Sequence, residues 1–176
     1  MVRYIAFFRA INVSGLRVIK MEDLIRMFEL LGFKNVKTFI QSGNVIFDAS
    51  DKNPKILNQK IEKGLQKFLG YEVTVLLRTF KAVENIVKLN PFKGIKPGPS
   101  IKMYVTFLSE KINKKPKLPL VSPRKDVKII RIVNHDVFSL TRMQNGRFGF
   151  PNIFIEKELG IPATTRNWTT VSKIIR

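Results

Sequence analysis

The 176-residue chain contains no cysteine. Disulfides, thiolate catalysis and cysteine metal sites are therefore excluded. Its one histidine, His135, excludes a multi-histidine metal centre, and neither a metal nor a cofactor is expected. No apolar run reaches the ~18 residues of a membrane span. Residues Met1–Arg9 are basic and then apolar, but the apolar part is too short for a signal peptide and no small-residue cleavage site follows. They read as a first strand, and a cytoplasmic location is expected. Acidic residues are also scarce, with 13 Asp+Glu against 32 Lys+Arg for a net charge of +19. Such a surplus favours a polyanionic partner: nucleic acid, a phosphate ligand or an anionic membrane surface. It is denser toward the end of the chain, at +7 over residues 1–88 and +12 over 89–176. Lysines outnumber arginines 21 to 11, as general lysine enrichment would also leave them. Enrichment of that kind usually raises glutamate as well, and here it does not.

What the chain does have is a 44% hydrophobic composition, enough to bury a core. Its most informative stretch is Thr38–Phe47, in which two apolar runs flank the polar tip Gln41-Ser42-Gly43-Asn44. That is the pattern of a β-hairpin whose turn needs the positive φ of glycine. The elements around it are regular. A strand over residues 3–9 is apolar on both faces, as a central, covered strand is. Met21, Leu24, Ile25, Phe28 and Leu31 fall at helical spacing before Gly32. Asn35–Ile40 and Asn44–Asp48 form the hairpin. Asn53-Pro54 opens a second helix with the stripe Leu57, Ile61, Leu65 and Phe68, ended by Gly70. Glu72–Leu77 is a further strand. The order β-α-β-β-α-β over residues 3–77 predicts an α+β fold with a ferredoxin-like first half, 1–78, and strand 1 between strands 3 and 4. Arg9 and Asn12 should then approach Gln41, Ser42 and Asn44, with Tyr71 and Glu72 nearby.

The second half, 79–176, reads as a less regular α+β half packed against the first. Thr79 caps a helix carrying Phe80, Val83 and Ile86, which Asn90-Pro91 stops. Residues 93–100 read as a loop, Ile101–Leu108 as a strand and Lys111–Lys128 as an exposed loop rich in Lys and Pro. Val127–Val133 and Val137–Thr141 make a hairpin around Asn134-His135-Asp136. Pro151–Leu159 is a short helix ending at Gly160, and a last helix carries Trp168, Val171, Ile174 and Ile175 on one face, with Trp168 largely buried.

Four segments occur in an order and spacing that resemble one family over nearly the whole chain: Phe8-Arg9-Ala10-Ile11-Asn12-Val13, Gln41-Ser42-Gly43-Asn44-Val45, Asn90-Pro91-Phe92 and Thr165-Arg166-Asn167-Trp168. The chain resembles the bacterial domain of unknown function 1697 family. That family usually has glycine after the first arginine and again after the valine, where this chain has Ala10 and Ser14. The resemblance implies an α+β protein with a ferredoxin-like half and implies no activity.

Three clusters are candidate sites. The first is Arg9, Asn12, Gln41, Ser42 and Asn44, where a guanidinium beside amides and a hydroxyl suits an anion or a nucleobase edge; the same side chains also suit turn backbone. Ser42 has no neighbouring base in sequence and makes a poor nucleophile. The second is Thr165, Arg166 and Asn167, with Thr164 before them, read as the start of the last helix, where free amides and hydroxyls can hold phosphate or simply cap. The third is Lys111, Lys114, Lys115, Lys117, Arg124, Lys125 and Lys128, which could track a phosphate backbone without reading bases or form a solvated loop. RNA-recognition domains share the β-α-β-β-α-β order, but Ser42–Phe47 lacks their basic-Gly-aromatic-Gly-aromatic third strand, so that assignment is rejected. His135 reads as a turn residue. Polyanion binding by the basic second half, nucleic acid first among the partners, leads these readings. An enzyme or sensor for a small phosphorylated or nucleotide-like ligand at the Arg9 end is the alternative, and a protein-interaction module the third.

Overall fold

Alternating apolar residues and well-placed helix stops build the first unit, Met1–Asn85. The computed structural model of the protein describes residues 1–9, 18–40 and 43–176. Strand β1 (Val2–Phe8) is followed by helix α1 (Met21–Leu30), β2 (Lys34–Thr38), β3 (Asn44–Ala49), α2 (Pro54–Leu69), β4 (Val75–Thr79) and α3 (Phe80–Leu89). The sheet is antiparallel in the order β2-β3-β1-β4. The central place of β1 and the α+β class agree with the sequence pattern. Tyr4, Ala6 and Phe8 on one face of β1 and Ile5 and Phe7 on the other are all buried. The first face meets α1 and α2 through Leu24, Phe28, Leu57, Ile61 and Leu65. Aromatic rings dominate there: Phe47 lies 4.6 Å from Phe33, 5.2 Å from Phe28 and 5.8 Å from Tyr4 between ring centroids.

The ends of these elements follow local chemistry. Asn53 Oδ1 accepts the Lys55 amide at 3.0 Å, with Pro54 in the first turn of α2. Gly70 closes α2 in the left-handed region at φ 78°. Thr79 Oγ1 accepts the Ala82 amide at 3.1 Å and caps α3. Three expectations shift. Phe68 is half exposed, because the buried stripe of α2 stops at Leu65. β4 begins at Val75, where pairing with Phe8 starts and the Val75 amide donates to Glu62 Oε1 at 2.9 Å. β2 starts one residue early and is irregular between Lys34 and Lys37, with Asn35 at φ 50°.

The second unit, Ile86–Arg176, begins within α3. It contains β5 (Ile101–Leu108), β6 (Leu120–Val121), β7 (Val127–Val133), β8 (Asp136–Gln144), β9 (Arg147–Phe148), α4 (Pro151–Leu159), β10 (Ala163–Asn167) and α5 (Trp168–Ile174). Its antiparallel sheet runs β10-β5-β8-β7-β6, and β9 pairs with β8. Leu108, Ile129, Ile132, Val137, Ile155 and Ala163 form the core beneath α4. The segment 111–128 is not one loop. β6 and β7 occupy part of it, and Lys128 is half-buried in β7 opposite Leu140 and Val121. Residues 163–167 are strand rather than helix start. The β-branched pair Thr164-Thr165 suits a ladder, and the Ala163 amide is fixed by Glu156 Oε1 at 2.7 Å.

Candidate functional site

The polar end of the first sheet forms where β1 leaves it. The Phe8 amide donates to the Gly43 carbonyl and the Arg9 amide to the Thr74 carbonyl, both at 2.9 Å. Arg9, Gly43 and Asn44 therefore share one end of the sheet with the segment carrying Glu72 and Thr74. Asn12, Gln41 and Ser42 lie outside the described residues. Gly43 adopts φ 71°, the conformation the hairpin turn needs. Asn44 is fully buried; its Nδ2 donates to the Phe39 carbonyl at 3.0 Å, and its own carbonyl accepts the Phe39 amide at 2.9 Å. Its side chain closes the hairpin. A pocket of about 260 Å³ beside Thr74 is lined by Glu62 and Glu72 with Lys63.

At the other end of the chain, Thr165 Oγ1 donates to Asn152 Oδ1 at 2.9 Å and lies 2.8 Å from Thr106 Oγ1. Arg166 is buried, donating from Nη1 to Thr164 Oγ1 at 2.8 Å and to the Thr165 carbonyl at 3.0 Å. Burial pulls its guanidinium pKa down to about 10. Thr164, Thr165 and Arg166 thus serve the interior of the sheet. The cap of α5 is Asn167, whose Oδ1 accepts the Thr169 amide at 2.9 Å. Trp168 is half-buried, where the apolar stripe implied that it would be largely buried, because it opens the helix at its exposed end. Its indole meets Phe92 edge-on at 5.2 Å, so the segments Asn90-Pro91-Phe92 and Thr165–Trp168 come together in space.

The basic residues divide between two ends of the second sheet. Lys111 follows β5 by three residues and Lys117 precedes β6 by three, with Lys114 and Lys115 between them, toward the end that carries Leu108 and the His135 turn. Arg124 and Lys125 sit in the β6–β7 turn at the opposite end, where the Arg142 amide donates to the Asp126 carbonyl. All six of these loop and turn cations are exposed. His135 lies in the turn between β7 and β8, where Asn134 supplies the positive φ of 54°. Among the described residues no three His, Cys, Asp or Glu side chains gather as a metal site.

Beside Arg124 lies a feature that the sequence reading passed over. β8 continues to Gln144 and turns through Asn145 (φ 49°) and Gly146 (φ 74°) into β9; two left-handed residues in an Asn-Gly pair make a type I′ hairpin turn. Gly149 then packs on the β6–β7 turn. A Cβ there would meet Asp126 Oδ2 at 2.5 Å and Val127 Cγ2 at 3.1 Å, so any larger residue would have to displace the Asp126 carboxylate. Asp126 is itself held by Ser122 Oγ, which donates to Oδ1 at 2.7 Å. Between the β6–β7 turn, β9 and the start of α4 opens a groove of about 1190 Å³ whose lining includes Arg124, Arg147, Lys157, Phe148, Phe150 and Phe154. Lys102 Nζ stands 4.1 Å from the Phe148 ring centroid, and Tyr104 meets Phe150 edge-on at 6.0 Å. The signal was present in the sequence as Arg147-Phe148-Gly149-Phe150, a cation beside two aromatics spaced by glycine.

Among the described residues no helix is long and apolar enough to cross a membrane. No curated protein matches the chain. The fold is similar to that of conserved bacterial protein SP0830 from Streptococcus pneumoniae, with a TM-score of 0.69 and 19% sequence identity over 99% of this chain and 97% of that one. At that identity the likeness speaks for the fold alone. The model of the DUF1697 family, proteins of unknown function, matches residues 1–138, and on that match the chain belongs to this family.

Proposed function

We propose that the protein binds a polyanion, nucleic acid first among the candidates, through the basic surface of its second unit, and does so without catalysis. One observation carries this reading. Residues 86–176 hold 18 Lys and Arg against 5 Asp and Glu, a net +13, while residues 1–85 hold 14 against 8, a net +6. Sixteen of the eighteen cations are exposed, but of the five acids only Glu110 and Glu158 are. Asp126 and Glu156 accept hydrogen bonds within the fold, and Asp136 is buried. A surface so short of compensating carboxylates attracts phosphate backbones through counterion release. The runner-up, a small phosphorylated ligand near Arg9, has less support. Asn44 is committed to the Phe39 backbone, and the pocket beside Thr74 carries two carboxylates against one lysine.

The test is fluorescence anisotropy with a labelled DNA duplex over a range of salt. Affinity should fall with salt at a slope near 0.9 per phosphate contact. Replacing Lys114, Lys115, Lys117 and Lys125 by alanine should lower both affinity and slope and leave the circular dichroism spectrum unchanged, since all four are exposed. Absence of binding at ~50 mM salt, where such contacts are strong, would remove nucleic acid as the partner.

A further inference from the structure

Net charge does not explain why aromatic rings stand at the surface of the second unit among its cations. Phe150 is 55% exposed and its neighbour Ile153 75%, although both border a groove whose rim carries Arg124, Arg147 and Lys157. Phe150 meets Tyr104 in a T-shaped contact at 6.0 Å between ring centroids, and Phe148 lies under the Lys102 ammonium at 4.1 Å. The exposed Phe150 and the half-buried Phe148 are therefore both placed by specific neighbours. The groove, at about 1190 Å³, exceeds the roughly 300–1,000 Å³ of small-molecule pockets, which fits an extended ligand. Cations along a groove with rings on its wall are the two elements of single-strand binding: point charges for the backbone and π-faces for bases. Among the described residues its lining holds one carboxylate, Asp126, against Arg124, Arg147 and Lys157, which leaves the net charge of the groove positive.

We infer that this groove takes a single-stranded segment of nucleic acid, with an unpaired base stacked on Phe150 and the phosphates flanking it held by Arg124, Arg147 and Lys157. The inference rests on the reading of the second unit as a nucleic-acid surface and names the class of strand that this surface prefers. In a duplex the bases are already stacked on one another and cannot reach a phenyl ring, so a duplex can use only the cations. Phe150 thus supplies strand selectivity that the lysines, as point charges, cannot.

The experiment compares a labelled oligothymidine with a labelled duplex of equal length at ~50 mM salt, using the full chain. The single strand should bind more tightly. Phe150→Ala should weaken it roughly 5- to 150-fold, the measured range for loss of one stacked base, while the affinity for duplex and the salt slope stay the same. Phe150→Trp, which keeps a ring, should restore single-strand affinity. Equal affinity of the wild type for both strands, or an unchanged affinity in Phe150→Ala, overturns the groove assignment and leaves the polyanion reading standing. Binding of neither strand overturns both. Tighter binding of a polyglutamate peptide than of oligothymidine overturns it in favour of an acidic protein partner.

Discussion

The two units spend their aromatic residues differently. In the first, Tyr4, Phe8, Phe28, Phe33 and Phe47 are buried and meet ring to ring within the core, Phe39 and Phe80 are partly buried, and Phe68 is half exposed. The second also buries Phe92, Phe107 and Phe138, but its core beneath α4 is aliphatic, and Phe148 and Phe150 line a groove with Arg124, Arg147 and Lys157. Polar groups divide in the same way. Asn44 and Asp48 of the first unit are committed to the fold, with Asn44 on the Phe39 backbone and Asp48 accepting both Arg3 and Asn35. Exposed cations of the second unit outnumber its exposed acids sixteen to two. One and the same residue type is thus packed into the core at some positions and left exposed at others. Burial and partners decide which, and composition alone does not.

The largest effect expected from this contrast is on stability. Phe47→Ala removes a ring that meets three others and should cost about 3–5 kcal/mol, whereas Phe150→Ala should stay within about 0.5 kcal/mol, as exposed substitutions do. Urea denaturation of the two variants measures both. Similar losses would mean that Phe150 is a core residue and would break the contrast.

Asn44→Ala comes next. It leaves the Phe39 carbonyl, in a part-buried setting, without the amide that now serves it, at a cost of about 1–3 kcal/mol. A melting temperature equal to that of the wild type would return Asn44 to the candidates for ligand contact.

The smallest effect concerns Asp48. Hydrogen bonds from Arg3, with a further one from Asn35, hold its carboxyl below the usual carboxylate value against the opposing effect of burial. A depressed carboxylate stabilises the fold above its unfolded pKa of about 3.9 and loses that contribution as pH falls through the folded value. Because Arg3 is half exposed, the pair is worth only about 0.5–1 kcal/mol. Asp48→Asn should therefore be less stable than the wild type at pH 7 by that amount, and the gap should close in acid. A gap that persists below pH 2 in denaturant titrations would show a role other than the ion pair.

Much of the first unit was legible in the sequence because its signals are local. Helical stripes, the Asn53-Pro54 start, the glycine stops and two alternating strands each lie within a few residues. The topology then followed from their order. Legibility failed where a neighbour distant in sequence decides the structure. Thr164 and Thr165 look like helix caps until β5 offers them a ladder and Thr106 a hydroxyl partner. Lys128 looks like loop until β8 pairs with it. The groove could not be foreseen from Arg147–Phe150 alone, since it exists only where β9, the β6–β7 turn and α4 converge, and Gly149 matters only because Asp126 lies against it.

The central claim, that the charge of the second unit is a binding surface and not a by-product of lysine-rich composition, has a direct test. Two variants each remove four exposed cations: Lys52, Lys55, Lys63 and Lys67 of the first unit, or Arg124, Lys125, Arg147 and Lys157 of the second, all to alanine. Their net charges are equal, so any difference between them reports position. The measurement is the salt dependence of oligonucleotide anisotropy for both. The account predicts near wild-type affinity and slope for the first variant and a marked loss of both for the second. Equal losses in the two would contradict it and leave the +19 charge without a defined surface.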